Sequence, residues 1–206
     1  MDEIILEAKS ESEGGKVVFL FHGYGADKND LRPIGERISK AFPEAEIHIP
    51  NGIERCNAGI GRQWFALEDE DVNLWKDAFV KNAADIKAYT DAVISKKKST
   101  YKDVIFMGFS QGAMLSLSLG LKYKAKAVVA FSGLLLEPEV ENGDGDTKVL
   151  LTHGGKDNVI PFDTMRLTEE VLIKKGIYVE AAISPALTHG IDNYLLDQAI
   201  DFLKRL

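Results

Sequence analysis

Short apolar runs recur along the chain and alternate with longer segments that have a helical period. The first strong run, Val17–Phe21, is apolar throughout and ends at His22 and Gly23. An apolar run without polar alternation predicts a strand that is buried on both of its faces. Further strands of this kind are predicted at residues 47–49, 104–107, 127–131, 149–152 and 178–183.

Segments of helical period separate most of these runs. One apolar stripe is formed by Phe79, Ala83, Ile86, Thr90 and Val93, and it predicts a surface helix with one buried face. Other helices are predicted within residues 31–42, 113–123, 165–175 and 191–206. Repeated strand–helix–strand units predict one α/β domain over residues 1–206, with a mainly parallel central sheet and helices on both faces.

Composition and charge exclude several classes of protein. The chain has 206 residues, 45% of them hydrophobic and 28% charged, which is typical of a soluble globular protein. Its 25 basic and 32 acidic residues give a net charge of −7, which disfavours a nucleic-acid partner. The N-terminal residues lack the features of a signal peptide, and no apolar run reaches the roughly 20 residues of a membrane span. We therefore expect a cytoplasmic protein without stable membrane insertion.

The strongest chemical signal is the sequence Gly-Phe-Ser-Gln-Gly at residues 108–112, between a predicted strand and a predicted helix. This context is typical of a nucleophile elbow, in which the two glycines permit a sharp turn that exposes the hydroxyl of Ser110. The N-terminus of the following helix offers N–H groups and a positive dipole end to a developing oxyanion. The alternative is a glycine-rich turn with a capping serine.

A serine nucleophile requires a base, and the chain has 4 histidines. His189 is favoured, because it lies between the last predicted strand and the last helix, in a loop that can reach over the strand ends. The alternative is a structural or surface histidine. His22 and His153 each precede a glycine at a strand end and are candidates to line the site, whereas His48 lies inside a short strand and is interpreted as a packing residue.

The base requires an acid that orients it, and Asp157 is the favoured candidate. It follows a buried strand directly, so it is predicted at the same edge of the sheet as Ser110, and it fits the hydrolase order of serine, acid and histidine. Asp144 and Asp146 precede that strand and are predicted at the opposite edge. Asp163 is a candidate N-cap of the next helix.

An oxyanion also requires N–H donors. The loop at residues 22–27, after the first buried strand, contains Gly23 and Gly25 and can donate from the backbone of Tyr24. The backbone N–H of Gln111 would be the other donor. The alternative for this loop is a plain tight turn.

No metal or cofactor is predicted. The acidic run at residues 68–71 lacks ligand spacing and is interpreted as a solvated face or the start of a helix. The loop at residues 142–146 lacks the spacing and the final glutamate of a calcium-binding loop. Cys56 is the only cysteine, so neither a disulfide within the chain nor a cysteine-based metal site can form.

The motifs together resemble the small phospholipase/carboxylesterase family of α/β-hydrolases, which includes the acyl-protein thioesterases and bacterial carboxylesterases. The resemblance covers about residues 14 to 206 and implies an α/β-hydrolase fold. It implies that Ser110, Asp157 and His189 form a catalytic triad, with the backbone of Tyr24 and Gln111 as the oxyanion hole. The motifs that carry it lie at residues 22–27, 108–113, 131–133, 153–161 and 188–189.

The resemblance implies a carboxylesterase or lysophospholipase that acts through an acyl-enzyme, or alternatively an acyl-protein or acyl thioesterase. A catalytically silent binding module is a more remote alternative. The expected partner is a small ester, thioester or lysophospholipid, and a homodimer is one option for the oligomeric state. Trp64 is similar to an aromatic residue near the family's acyl site and is predicted, with His22, to contact substrate; its alternative is a core residue. Family members differ most in the segment that corresponds to residues 51–76.

Overall fold

The computed structural model describes residues 1–9, 14–67, 71–136 and 146–206. Its strands are β1 (Glu3–Leu6), β2 (Val17–Phe21), β3 (Glu46–Pro50), β4 (Glu54–Arg55), β5 (Arg62–Gln63), β6 (Val104–Phe109), β7 (Ala127–Phe131), β8 (Lys148–Gly154) and β9 (Tyr178–Ser184). Its helices are α1 (Arg32–Ala41), α2 (Val72–Lys96), α3 (Gln111–Lys122), α4 (Phe162–Lys174) and α5 (Asn193–Lys204).

The main sheet confirms the predicted α/β architecture. Among the described residues its strand order is β1-β3-β2-β6-β7-β8-β9, and every neighbouring pair is parallel except β1 with β3. All six predicted strands are present. The hydrophobic pattern does not predict β1, a half-exposed edge strand, or the two-residue strands β4 and β5, because each is too short to show a period.

Both faces of the sheet are covered, as the uninterrupted apolar runs predict. Val18 and Leu20 of β2 belong to a core that includes residues of α1 and α5. Phe19 and Phe21 of the same strand belong to a second core, with residues of α2 and α3. Burying one large apolar side chain stabilises a fold by about 1.5–3 kcal/mol, so alternate residues of one strand fix helices on opposite faces.

Two details of the helices correct the sequence interpretation. The buried face of α2 includes Asn82, whereas the predicted Ala83 and Val93 are only half-buried. Asn82 is buried because its amide donates to the carbonyl of Trp64 at 3.0 Å, which a count of apolar residues cannot detect. Asp163 lies in the first turn of α4 and is not its N-cap, which is Pro161.

The acidic run at 68–71 ends in a helix cap. The side chain of Asp71 accepts a hydrogen bond from the N–H of Asn73 at the start of α2, as expected for a charge at a helix start. The rest of that run lies outside the described residues. So does Asp144, whereas Asp146 pairs with Lys102, just before β6, and therefore lies at the amino edge of the sheet as predicted.

His48 is a buried residue of β3, but polar contacts determine its place as much as packing does. One ring nitrogen lies 2.8 Å from the carboxylate of Glu3, and the other lies 2.9 Å from that of Glu46. The contact with Glu3 joins β1 to β3, whereas the contact with Glu46 lies within β3.

The strand order places a crevice at one edge of the sheet. The chain passes from β2 to β3 on one side and then returns to β6 on the other side of β2. At such a reversal the loops that follow the two strands diverge, and ligands of α/β sheets bind in the crevice between them. The loop after β2 and the turn after β6 meet here. Among the described residues, no helix has both the length and the apolar character that crossing a membrane would require.

Candidate active site

Ser110 occupies a strained turn between β6 and α3. Its φ of 53° and ψ of −116° are unusual for a residue other than glycine. Three hydrogen bonds hold this conformation. The N–H of Ser110 donates to the carbonyl of Phe131 at 2.8 Å, and its carbonyl accepts from the N–H groups of Ala113 at 2.9 Å and Met114 at 3.1 Å. The turn is therefore fixed by β7 on one side and by α3 on the other.

The glycines on either side of Ser110 allow backbones to touch. A Cβ atom at Gly108 would overlap the carbonyl of Gly112, and a Cβ atom at Gly112 would overlap the carbonyl of Phe21. The first turn of α3 thus packs directly on the backbones of β6 and β2. This contact explains both glycines of the motif and brings the start of α3 to the crevice.

Asp157 and His189 form a hydrogen-bonded pair, as the sequence predicts. Oδ2 of Asp157 lies 2.7 Å from Nδ1 of His189. Oδ1 of the same carboxylate accepts from the N–H groups of Val159 and Ile160, each at 2.9 Å. Burial of the Asp157 side chain opposes its charge, but these hydrogen bonds from His189 and the backbone outweigh it and lower the pKa of the carboxyl group.

The ring of His189 is oriented towards the crevice. A carboxylate can only accept, so Nδ1 carries the proton in this bond and Nε2 of the neutral ring is an acceptor. The ring packs on Phe109, with 4.7 Å between ring centroids, and its side chain is 17% exposed. Phe109 precedes Ser110 directly, and His189 and Ser110 line the same cavity.

That cavity has a volume of about 660 Å³ and is mainly apolar. No Asp, Glu, Lys or Arg lines it in the part of the chain that the structure describes. The sequence does not single out its apolar wall, since such residues have the same pattern as core residues. The wall includes Leu67, Val72, Trp75, Met114, Leu134 and Ile160.

The two residues predicted to donate to the oxyanion belong to segments that lie next to Ser110. Gln111 is the first residue of α3, and the first N–H groups of a helix have no acceptor within the helix. Gly23 and Tyr24 line the cavity, and a Cβ atom at Gly23 would lie 3.5 Å from that of Ser110. The loop after β2 therefore passes close to the turn that contains Ser110.

His22, Trp64 and His153 require correction. All three are fully buried and none lines the cavity, so none of them is placed to contact substrate. His22 points into the core because its ring bonds the backbone of Gly23 and Gly52, and the indole N–H of Trp64 donates to the carbonyl of His22 at 2.9 Å. Trp64 is therefore the core residue that the sequence left as an alternative.

His153 contacts Asp157 and the loop that follows it, and it does not line the cavity. Its Nε2 donates to the carbonyl of Ile160 at 2.8 Å and lies 3.4 Å from Oδ2 of Asp157. It thereby holds the loop that supplies two N–H groups to Asp157. Among the described residues no hydrogen-bond partner is found for its Nδ1.

The side chain of Gln111 has a role that the sequence analysis missed. Its Nε2 donates to the carbonyl of Phe65 at 2.6 Å, and its Oε1 accepts from the N–H of Trp64 at 2.9 Å. This one side-chain amide therefore forms hydrogen bonds with both a backbone carbonyl and a backbone N–H of the segment at residues 64–65. The only signal in the sequence is a long polar residue directly after Ser110, at the start of a predicted helix.

Cys56 is a buried free cysteine in the described part of the chain. No group of three or more His, Cys, Asp or Glu side chains arranged to hold a metal ion is found among residues 1–9, 14–67, 71–136 and 146–206. The cavity is lined by Ser110 and by His189, whose ring is paired with Asp157, and its other polar lining residues include Tyr24, Asn158 and Thr164.

Comparisons with known proteins give a family and several relatives. Residues 2–206 match the family model described as Phospholipase/Carboxylesterase. The chain is 29% identical over 195 residues to esterase YpfH of Escherichia coli (strain K12), which covers 92% of this chain and 82% of that protein. It is 28% identical over 162 residues to acyl-protein thioesterase 1 of Kluyveromyces lactis, covering 70% of this chain and 71% of the relative. The crystal structure of esterase PE8 is similar with a TM-score of 0.89 at 32% identity, covering 98% of this chain and 97% of that one.

The lowered pKa of Asp157 predicts a pH-dependent contribution to stability. Its ordinary value is 3.8. The folded-state pKa lies below that value. The charged carboxylate therefore makes its full contribution to stability at pH values above 3.8, and this contribution is lost as the pH falls through the folded-state pKa. We expect Asp157→Asn to lower the free energy of unfolding by about 1–3 kcal/mol at neutral pH, with a smaller difference in acid.

Urea unfolding of both proteins at a series of pH values measures this difference. Asp163→Asn, at an exposed position in the first turn of α4, is the control and should change stability by less than about 0.5 kcal/mol. A difference between wild type and Asp157→Asn that stays constant from neutral pH to about pH 3 would contradict the assigned hydrogen bonds.

Proposed function

Because this chain belongs to the phospholipase/carboxylesterase family and is a carboxylic ester hydrolase, we propose that Ser110 is its nucleophile, His189 its base and Asp157 the acid that orients the base. One observation carries the proposal. His189, which is hydrogen-bonded to Asp157, lines the same cavity as Ser110 in its strained turn. The three groups come from loops that follow three different strands, which is the arrangement of a serine hydrolase.

The first half of the reaction is acylation of Ser110. Nε2 of His189 takes the hydroxyl proton as Oγ attacks the carbonyl carbon of the ester. The carbonyl oxygen becomes an oxyanion that accepts from the N–H groups of Tyr24 and Gln111, while Asp157 stabilises the imidazolium. When the tetrahedral species collapses, the bond to the leaving oxygen breaks and His189 protonates the departing alcohol.

The second half is hydrolysis of the acyl-enzyme. His189 now takes a proton from water, and the resulting oxygen attacks the carbonyl carbon of the ester on Ser110. The same N–H groups stabilise the second oxyanion. Collapse returns the proton to Oγ and releases the carboxylic acid, so the enzyme is regenerated without a cofactor.

The cavity supports a neutral, apolar acyl chain as the group transferred to Ser110. Its described lining carries no fixed charge apart from the ionisable ring of His189, so a charged acyl group would lose hydration without gaining a partner. The apolar wall gives a hydrocarbon chain a surface on which to bury itself. The esterase names of two relatives support an oxygen ester, and the thioesterase name of the third supports a thioester as the second candidate.

Hydrolysis of p-nitrophenyl esters from acetate to palmitate tests this function. We expect turnover by the wild type and a loss of at least about 10³-fold in Ser110→Ala. Ser95→Ala, at an exposed position on α2, should retain full activity. Equal rates for wild type and Ser110→Ala would contradict the proposed nucleophile. The same acyl chain, offered as an oxygen ester, a thioester and a lysophospholipid, then ranks the substrate classes by kcat/KM.

The oxyanion assignment predicts opposite results for two substitutions of one residue. Tyr24→Ala keeps the backbone N–H and should retain most of the activity, whereas Tyr24→Pro lacks it and should lose roughly 10²-fold or more in kcat. Thermal unfolding of both variants measures how much of any loss comes from instability. Equal and large losses in two folded variants would point to the tyrosine side chain instead of its backbone.

A further inference from the structure

His22 makes two hydrogen bonds that determine which of its nitrogens carries the proton. Nδ1 lies 2.7 Å from the carbonyl oxygen of Gly23, and Nε2 lies 2.8 Å from the backbone nitrogen of Gly52. An N–H group can only donate, so Nε2 must be an unprotonated acceptor. A carbonyl can only accept, so Nδ1 must carry the proton. Both partners are satisfied only by the neutral ring in one tautomer.

The surroundings of His22 favour this neutral form. The ring is fully buried, and burial lowers the pKa of His22 below its ordinary value. Its bond to Gly23 and the charges of Asp27 and Asp30 act in the opposite direction, while Arg62 acts in the same direction as burial. A proton on Nε2 would also face the N–H of Gly52, which would leave two donors opposed in the core.

The bond to Gly23 fixes the direction of the next N–H group. The carbonyl of Gly23 and the N–H of Tyr24 belong to one trans peptide, so they point in opposite directions. The carbonyl accepts from His22 on the core side and also from the N–H of Ala26 at 3.3 Å. Gly23, Tyr24 and Ala26 line the cavity whereas His22 does not, so a Gly23 carbonyl that points to the ring of His22 leaves the opposite side of this peptide for the N–H of Tyr24.

A second set of bonds connects His22 to the other proposed donor. The indole N–H of Trp64 donates to the carbonyl of His22, and the backbone N–H of Trp64 donates to the side chain of Gln111. The rings of His22 and Trp64 lie 5.2 Å apart. A continuous path therefore runs from Gln111 through Trp64 and His22 to the peptide of Tyr24. It joins the start of α3 to the loop after β2 beneath the floor of the cavity.

We propose that His22 is a positioning residue of the oxyanion hole, which holds the peptide between Gly23 and Tyr24 so that its N–H faces the oxyanion formed at Ser110. This inference rests on the proposed function, because it assigns a support to the donor named there. The ring touches no substrate. His22 would therefore affect the transition state, because the hydrogen bond from the N–H of Tyr24 becomes strong only when the carbonyl oxygen of the substrate becomes an anion.

Substitutions of His22 separate this role from simple packing. His22→Phe keeps an aromatic ring but removes both hydrogen bonds. His22→Asn places an amide N–H near the position of Nδ1, and His22→Gln places the amide near the position of Nε2, so only the first retains a donor for Gly23. We expect kcat/KM to fall by about 10–100-fold in His22→Phe and His22→Gln, and by less than about 5-fold in His22→Asn.

Two inhibitors distinguish transition-state effects from substrate binding. A trifluoromethyl ketone with the preferred acyl chain adds to Ser110 and carries a charged oxygen in the oxyanion position, whereas the matching ether has no carbonyl. In His22→Phe the Ki of the ketone should rise by the same factor by which kcat/KM falls. The Ki of the ether should change by less than about 2-fold, because ground-state binding is not affected.

His48→Phe is the matched control. His48 is also a buried histidine with both ring nitrogens bonded, but it lies away from the cavity. We expect the His48→Phe variant to be less stable than the wild type in thermal unfolding and to keep the wild-type kcat/KM. Equal losses of ketone and ether affinity in His22→Phe, or an Asn variant no more active than the Gln variant, would overturn the inference. Retained activity in Ser110→Ala would instead overturn the proposed function, so the two failures are distinguishable.

Discussion

The site depends on direct contact between backbones at the point where α3 meets β6 and β2. Gly108 and Gly112 leave no side chain between these elements, so the first turn of α3 packs on the carbonyl of Phe21. That contact brings the start of α3 beside the loop that follows β2, and hydrogen bonds to Phe131, Ala113 and Met114 hold Ser110 in its strained conformation between them. The proposed nucleophile and the two proposed sources of N–H groups therefore share one packing constraint, which a Cβ atom at either glycine would break.

The rest of the site contains buried polar groups, and hydrogen bonds satisfy them on both sides of Ser110. On one side, the charge of Asp157 is compensated by His189 and by two backbone N–H groups. On the other side, the ring of His22 and the amide of Gln111 satisfy buried backbone groups around the loop after β2. Because an unpaired buried polar group costs about 1–3 kcal/mol, each of these bonds also restricts where the loops can lie.

The sequence predicts most of the sheet, because strands buried on both faces are uninterrupted apolar runs. It also predicts the meeting of Ser110, Asp157 and His189 at one edge, since each follows a strand of a parallel sheet. It cannot show on which side of a loop a polar residue points. His22 follows a strand as His189 does, and the family resemblance places Trp64 near substrate, yet both residues face the core. Their partners are backbone groups that only the fold brings together. The apolar wall of the cavity is missed for a related reason, because its residues have the same sequence pattern as residues of the hydrophobic core.

If Ser110 carries the acyl group during turnover, as proposed, the acyl-enzyme itself is the direct evidence. Wild-type protein would be mixed with excess p-nitrophenyl ester and quenched in acid at early times. Intact mass and peptide mapping would then locate any added acyl group. We expect one acyl group per chain, on the peptide that contains Ser110, and we expect it to disappear as substrate is exhausted. Steady turnover with an adduct on another residue would contradict it.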